Sequence, residues 1–173
     1  GIYMGYEKYK YSVEITSSIT YEKIKDYLKE GTSQYSPLGF RINKSSKDNL
    51  EVSGIKAAKR HTLNNRKDLD DNLKYLHKII QFCEDKQIQL ILVTTPTCHS
   101  YYEHLDKHQL DQLLSIAKEL DNNHENVFYF NFLKDDRFND NDFKDGDHLS
   151  EEGAEKFTKI LKDSIRHKLD IEL

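Results

Sequence analysis

The sequence contains little proline, cysteine or glycine and no tryptophan. The two prolines, Pro37 and Pro96, lie far apart, and no stretch rich in proline, glycine or serine separates one part of the chain from another. The 173 residues are therefore predicted to form a single domain, which is long enough to bury a core. The two cysteines, Cys83 and Cys98, belong to no paired motif, which excludes a disulfide scaffold and a cysteine-based zinc site.

Two further absences narrow the class of protein. No apolar run approaches the length of a membrane span. No basic stripe is present, because the 26 lysines and arginines are interleaved with 30 acidic residues, and nucleic acid is therefore not expected as a partner. The 11 tyrosines and 8 phenylalanines are too many for a disordered chain, so the composition indicates a polar globular protein.

A clear pattern of apolar residues begins at residue 66, where segments with the period of a helix alternate with short apolar segments typical of strands. Helices are predicted at 66–87, 104–123 and 150–169, and strands at 88–95 and 126–133. Both strands are short and almost wholly apolar, as expected for strands that are buried on both faces of a sheet. This order predicts an α/β fold, a three-layer α/β/α sandwich with a flavodoxin-like parallel sheet, in which ligands collect beyond the carboxyl ends of the strands.

The first 65 residues have no clear assignment. An edge strand fits residues 9–15, a short helix fits 20–31, a loop fits 32–49, and residues 50–65 fit no single pattern. We therefore expect the α/β part of the domain to cover residues 66–169.

The loop "NDFKDGDHLSEEG", residues 141–153, joins the second strand to the last helix, for which Ser150 is the predicted N-cap. Asp145 comes shortly before His148, so a tight turn through Gly146 can bring its carboxylate to the imidazole. A carboxylate on Nδ1 fixes the tautomer and leaves Nε2 free to act as a general base. The alternative is a solvated acidic turn before the helix, which Asp-x-x-His on its own favours.

The pattern D-G-D-H-L-S-x-x-G-A resembles the last sequence block of the SGNH (GDSL-like) hydrolase and acyltransferase superfamily. The matching positions are Asp145, His148, Leu149, Ser150, Gly153 and Ala154. The stretch "LILVTTPTCHSYY" is similar to the penultimate strand and loop of such proteins, in particular those linked to acylation of bacterial surface polymers. The resemblance covers residues 66–169 and implies that Asp145 and His148 are the acidic and basic members of a catalytic triad.

By this resemblance the chain is the carboxy-terminal part of a serine esterase or O-acyltransferase that acts on an acyl ester or an acylated carbohydrate, such as a surface polymer. No metal or organic cofactor is implied, and the extracytoplasmic or cell-envelope side is the favoured location. The alternative is a non-catalytic module of the same fold that binds a glycan or another protein.

The nucleophile of this superfamily is a serine in a Gly-Asp-Ser-like turn after the first strand, and the sequence has no such turn. Gly31-Thr32-Ser33 follows a predicted helix instead of a strand, and Ser53-Gly54 fits no better. We therefore expect the nucleophile to lie outside this chain, the chain alone to be inactive, and the sheet to be incomplete on its amino-terminal side. An incomplete sheet exposes an edge strand, and the expected cover is either residues 1–65 or another copy of the chain through self-association.

Other side chains near this edge of the sheet offer weaker sites. His99 follows the first strand and is a candidate for contact with substrate, although a hydrogen-bonded loop histidine is the simpler interpretation. His104 and His108 have the one-turn spacing of a zinc pair, but surface histidines fit this polar helix better. A calcium loop aligned on Gly146 puts Phe143 where an oxygen ligand is required, so no metal site is predicted.

Overall fold

A computed structural model of the chain describes residues 48–62 and 66–171, with side chains from residue 69 onwards in the second range. The chain divides after Ser45 into two compact units, and the described residues belong to the second unit, Ser46–Leu173. The strand and helix predicted before residue 32, and nearly all of the loop predicted after them, lie outside the described residues.

The described elements alternate as the sequence predicts, with two additional helices. In chain order they are α1 (Leu50–His61), α2 (Arg66–Asp85), β1 (Leu90–Thr94), α3 (His99–Glu103), α4 (Lys107–Asn123), β2 (Val127–Asn131), a 3-10 turn (Asp140–Asp142) and α5 (Glu151–Leu169). The three predicted helices and both predicted strands are present, with ends that differ by a turn or less. None of the described helices combines the length and the apolar character needed to cross a membrane.

The two strands lie side by side and run in parallel. Leu90 is opposite Val127 at one end of the pair, and Thr94 is opposite Asn131 at the other. This pairing confirms the prediction of a mixed α/β protein with two adjacent parallel strands. Within residues 48–62 and 66–171 the sheet consists of these two strands.

One face of the sheet packs against α2 and α4. The core of this face is formed by Ile80 of α2, Leu120 of α4 and Val127 of β2, each at most 5% exposed. Four partly buried side chains pack around them: Leu76, Leu90, Leu92 and Ile116. Burying one such aliphatic side chain contributes about 1.5–3 kcal/mol, which explains why the apolar stripes of both helices point toward the strands.

The side chains on the other face of β2 contact α5. The ring of Phe130 stacks on that of Phe132, with 6.4 Å between the centroids, and Phe132 meets Phe157 of α5 edge-on at 5.3 Å. The Lys168 ammonium lies over the rings of Phe128 and Phe130. Because successive side chains of a strand point to opposite faces, α5 contacts the face that α2 and α4 do not.

The strands are less covered than their apolar sequences predict. All five residues of β1 are half-buried, and in β2 only Val127 is fully buried. The expectation of strands buried on both faces is therefore not met. Among the described residues, each strand pairs with one other strand.

The outer edge of β2 is closed by two side chains. The N–H of Tyr129 donates to Asp121 Oδ1 at 2.8 Å, and Lys168 pairs with the same carboxylate at 2.8 Å. Lys168 Nζ also lies 3.4 Å from the carbonyl oxygen of Tyr129. These groups provide the acceptor and donor that a further strand would provide. No strand of the described part of the chain pairs with the opposite edge of the sheet, that of β1.

Helix α1 occupies the stretch for which periodicity gave no assignment. The side chain of Asn49 caps it by accepting a hydrogen bond from the N–H of Val52 at 3.0 Å. Its buried residues are Gly54, Ala57 and Ala58, and α1 packs against α3. A helix face of such small residues permits close contact between helices. Because glycine and alanine are only weakly hydrophobic, the periodicity of the sequence does not identify α1.

Candidate active site

The loop between β2 and α5 turns back on itself around three residues, Asp145 to Asp147. Phe143 and Leu149 form an antiparallel bridge, and the N–H of Lys144 donates to the carbonyl of His148 at 3.0 Å. Ser150 then caps α5, as predicted, by accepting a hydrogen bond from the N–H of Gly153 at 3.1 Å. The turn therefore places the half-buried Asp145 and Asp147, and the buried Gly146 between them, just before the capped start of α5.

Asp145 and His148 are in direct contact across this turn. Asp145 Oδ1 accepts a hydrogen bond from His148 Nδ1 at 2.9 Å, which confirms the predicted contact. The same oxygen accepts the backbone N–H groups of His148 at 2.8 Å and Asp147 at 3.2 Å. One carboxylate oxygen thus fixes both the turn and the orientation of the imidazole. The catalytic roles of the two residues stay predictions.

The hydrogen bonds around Asp145 determine its ionisation. Burial alone would raise the pKa of this carboxyl group. The hydrogen bond from the His148 ring and those from the N–H groups of Asp147 and His148 outweigh burial, and they hold the pKa of Asp145 below its ordinary value. Asp145 is therefore an ionised acceptor at neutral pH.

The other nitrogen of His148 faces outward. The His148 side chain is 66% exposed, whereas that of Asp145 is 19% exposed. In the part of the chain that the structure describes, every hydrogen bond or ion pair of this ring is made by Nδ1. A neutral imidazole that donates from Nδ1 carries its lone pair on Nε2, so the arrangement presents a base to an approaching hydroxyl group.

The turn is attached to the carboxyl end of β1 and to α1. The N–H of Cys98, shortly after β1, donates to the carbonyl of Gly146 at 3.2 Å. From the other side, the N–H of Gly146 donates to Ser53 Oγ of α1 at 3.0 Å. Asp145 and His148, which this turn carries, therefore lie at the edge of the sheet where ligands of parallel α/β folds bind.

Two described serines near this loop, Ser53 and Ser100, use their hydroxyl groups in hydrogen bonds to groups other than His148. Ser53 Oγ donates to the carbonyl of Asn49 at 2.8 Å while it accepts from Gly146. Ser100 is buried, and its hydroxyl donates to the carbonyl of Leu50 at 2.7 Å. Neither hydroxyl has a hydrogen bond to His148, and Gly31-Thr32-Ser33 lies outside the described residues.

His99 does not join the Asp145–His148 pair. Its Nε2 lies 3.1 Å from Glu103 Oε1, one turn further along α3, and its ring meets Tyr102 edge-on. The side chain is 68% exposed, so it remains available to a ligand without contacting the pair.

His104, one of the two histidines with the spacing of a zinc pair, makes a local hydrogen bond. His104 Nδ1 bonds the carbonyl of Ser100 at 2.8 Å, which ends α3. Within the described residues, the one group with the geometry of a metal site comprises Asp145, Asp147 and His148, whose ligand atoms lie within 4.8 Å of one another. A cation is disfavoured there, because His148 Nδ1 donates to a carboxylate and the Arg60 guanidinium already pairs with Asp147.

A network around Asp147 was missed by the sequence reasoning. Asp147 Oδ2 accepts from Arg60 at 3.1 Å and lies 3.7 Å from His61 Nε2, and His61 Nδ1 is 2.8 Å from the hydroxyl of Tyr101. Burial raises the pKa of Tyr101, and the Asp147 carboxylate raises it further against the opposing effect of Arg60. No sequence signal identifies this network, because its basic residues, Arg60 and His61, come from α1, which periodicity did not assign.

A cleft of about 230 Å³ opens beside this network instead of at His148. Its polar lining is formed by His61, Thr62, Thr94, Thr95, Thr97, Tyr101, Asp106 and Gln109, and its apolar lining by Leu105, Leu110, Leu113 and Leu133. The cleft thus lies between the end of α1, the carboxyl end of β1 and the start of α4.

Residues 14–170 match one protein-family model, and the chain therefore belongs to that family. The match assigns no activity, substrate or partner. No curated protein and no solved structure matches the chain. The function is accordingly inferred from the residues of the site and from the resemblance of the loop that carries them.

Proposed function

We propose that the chain carries the acid–base pair of an SGNH-like serine esterase or O-acyltransferase. The observation that supports this proposal is the hydrogen bond from His148 Nδ1 to Asp145 Oδ1, together with the exposure of the imidazole. In this proposal Nε2 takes the proton of a serine hydroxyl as the serine attacks an ester carbonyl, and then returns it to the leaving alkoxide. Asp145 keeps Nδ1 protonated and stabilises the imidazolium ion. The serine comes from outside this chain, which alone is inactive.

The proposed fold is the three-layer α/β/α sandwich of that superfamily. It is supported by the contacts of α2 and α4 with one face of the strands and of α5 with the other. The closed outer edge of β2 suits the last strand of such a sheet.

The proposed substrate is an acyl ester or an acylated carbohydrate on the extracytoplasmic side of a cell envelope. The cleft beside His61 and Tyr101 supports a substrate with polar and apolar parts, such as an acyl ester, because threonine hydroxyl groups and leucine side chains form much of its lining, together with the Asp106 carboxylate. A location in the envelope follows only from the resemblance to proteins that acylate surface polymers.

A fluorophosphonate probe tests this proposal, because it labels a serine only when a base activates the hydroxyl. The full-length protein should be labelled at one serine, and His148→Ala should abolish the labelling. His167→Ala, which removes an exposed histidine of α5, is the matched control and should leave the labelling intact. Equal labelling of the His148→Ala and His167→Ala variants would refute the proposed role of His148.

The second candidate is a non-catalytic module that binds a glycan or a protein. It is favoured by the two backbone N–H groups that Asp145 Oδ1 also accepts, because these bonds stabilise the turn whether or not His148 is catalytic. A full-length protein that no fluorophosphonate labels, but that binds acylated glycan with a dissociation constant unaffected by His148→Ala, would establish this second function.

We also propose that the chain self-associates through the edge of β1, with which no described strand pairs. The contrast with β2 supports this proposal, since Asp121 and Lys168 close the edge of β2 and no described residue does so for β1. A stripe of exposed apolar side chains on α2, which precedes β1, provides further contact area: Tyr75, Ile79 and Phe82. Sedimentation should show a concentration-dependent dimer that Ile79→Glu disrupts. A strictly monomeric chain would contradict the proposal.

A further inference from the structure

Asp147, to which the triad pattern gives no role, contacts both His148 and α1. Its Oδ1 lies 3.4 Å from His148 Nδ1, and its Oδ2 accepts a hydrogen bond from Arg60 at 3.1 Å. His61 Nε2 lies 3.7 Å from the same Oδ2. With 11% of its side chain exposed, Asp147 is better covered than Asp145. A carboxylate covered to this extent requires a charged or hydrogen-bonding partner, which Arg60 provides.

The charged groups around the His148 imidazole come from its own loop and from α1. The imidazole faces two carboxylates from its own loop, those of Asp145 and Asp147, and the Arg60 guanidinium balances one of them. When His148 takes a proton, it and Arg60 carry two positive charges, which balance the negative charges of the Asp145 and Asp147 carboxylates. Without Arg60, both carboxylates would hold that proton more tightly, so His148 would be less available in the neutral form that accepts a proton.

We propose that Asp147 and Arg60 form a positioning pair that orients the imidazole of His148 and sets its basicity. The catalytic meaning of this pair rests on the proposed function of His148, whereas its effect on the imidazole can be measured without any activity. The pair makes α1 part of the site, although α1 lies outside the residues that resemble the SGNH superfamily.

Other ionisable groups near the cluster, in the chain or through a hydrogen bond, stay constant in the test. Tyr101 of α3 reaches it through His61, with 2.8 Å between the hydroxyl oxygen and Nδ1. Glu151 and Glu152 lie in the first turn of α5, directly after the loop. Only the charges of Asp147 and Arg60 are changed, so a change in the imidazole titration reports on those two residues.

Titration of the His148 ring by ¹⁵N NMR in the whole chain tests the proposal. Arg60→Gln should move the titration midpoint to higher pH by about half a pH unit, as expected for the loss of one nearby cation at the surface. Asp147→Asn should move it to lower pH by a similar amount. Arg60→Lys should restore most of the shift. Lys59→Gln removes a neighbouring exposed charge of α1 and should leave the midpoint within about a tenth of a unit.

Shifts of opposite sign in the Arg60→Gln and Asp147→Asn variants support the positioning role, because a purely structural loss would not reverse its sign with charge. Unchanged midpoints, or an equal shift in Lys59→Gln, overturn it. If Asp147→Asn does not fold, the comparison of Arg60→Gln with Arg60→Lys decides the question. Failure of fluorophosphonate labelling would instead refute the proposed function and leave these shifts unaffected.

Discussion

Gly146 of the loop between β2 and α5 lies directly against Gly54 of α1, with no side chain between the two backbones. A Cβ on Gly146 would overlap the backbone of Gly54, and a Cβ on Gly54 would overlap the Ser100 hydroxyl of α3. The loop, α1 and α3 are thus packed backbone to backbone. This contact, together with the hydrogen bond from Gly146 to Ser53, holds the turn that carries Asp145.

Gly54→Ala should destabilise the protein, although alanine is the better helix former. In an exposed helix the change would stabilise by up to about 1 kcal/mol. Here the added methyl group would overlap with Ser100, so the substitution should lower the free energy of unfolding by about 1–3 kcal/mol, the usual range for overpacking. Urea denaturation measures the difference, with Ser115→Ala in α4 as the exposed control. A more stable Gly54→Ala variant would contradict the observed packing.

Asp121→Ala should weaken the outer edge of β2. The N–H of Tyr129 loses its acceptor and Lys168 loses its ion-pair partner, which should cost about 1–3 kcal/mol. The open edge should also increase self-association. Denaturation and sedimentation measure the two effects, and Asp163→Ala on the exposed face of α5 is the control. If both variants behave alike, the side chains of Asp121 and Lys168 do not protect this edge.

The three long helices and the two strands from residue 66 onwards were predictable, because these helices are amphipathic and these strands are apolar. The short helix α3 and the 3-10 turn were not predicted, since elements of three to five residues are too short to show a period. The contact between Asp145 and His148 was predictable for a different reason. The two residues are close in sequence, so a single tight turn is enough to bring their side chains together. The Asp147 network was not predictable, because Arg60 reaches it from a helix of small buried residues, Gly54 and Ala57 among them. Long-range contacts of that kind leave no periodic signal.

The stability of the fold should decrease in acid through Asp142 and Asp145. Burial raises the pKa of Asp142, but Lys156 and the N–H of Asn139 lower it more, and the pKa of Asp145 is also lowered. A folded-state pKa below the unfolded value means that the ionised carboxylate stabilises the fold. This stabilisation is present above the unfolded pKa of about 3.9 and is lost as the pH falls through the folded-state pKa.

Thermal unfolding between neutral and strongly acidic pH measures this loss. Asp142→Asn should be less stable than the wild type at neutral pH and should lose less stability in acid. An identical dependence on pH in the two proteins would exclude Asp142 as a source of acid sensitivity.

Substitutions of Asp145 should separate its structural role from its charge. Asp145→Asn keeps an oxygen for the N–H groups of Asp147 and His148, so it should change the free energy of unfolding by no more than about 1 kcal/mol. Asp145→Ala removes all three hydrogen bonds and should cost more, about 1–3 kcal/mol. Denaturation of the two variants gives the comparison, and equal losses would show that the side-chain oxygen does not hold the turn.

Turnover of a short-chain acyl ester by the full-length protein tests the central claim most directly. His148→Ala should reduce kcat by about 10²–10⁴-fold, because general base catalysis is lost, while His167→Ala should retain the wild-type rate. Asp145→Asn should also reduce kcat, since an amide stabilises the wrong tautomer of the imidazole. A His148→Ala variant with full turnover would contradict the assignment of Asp145 and His148 as a catalytic acid–base pair.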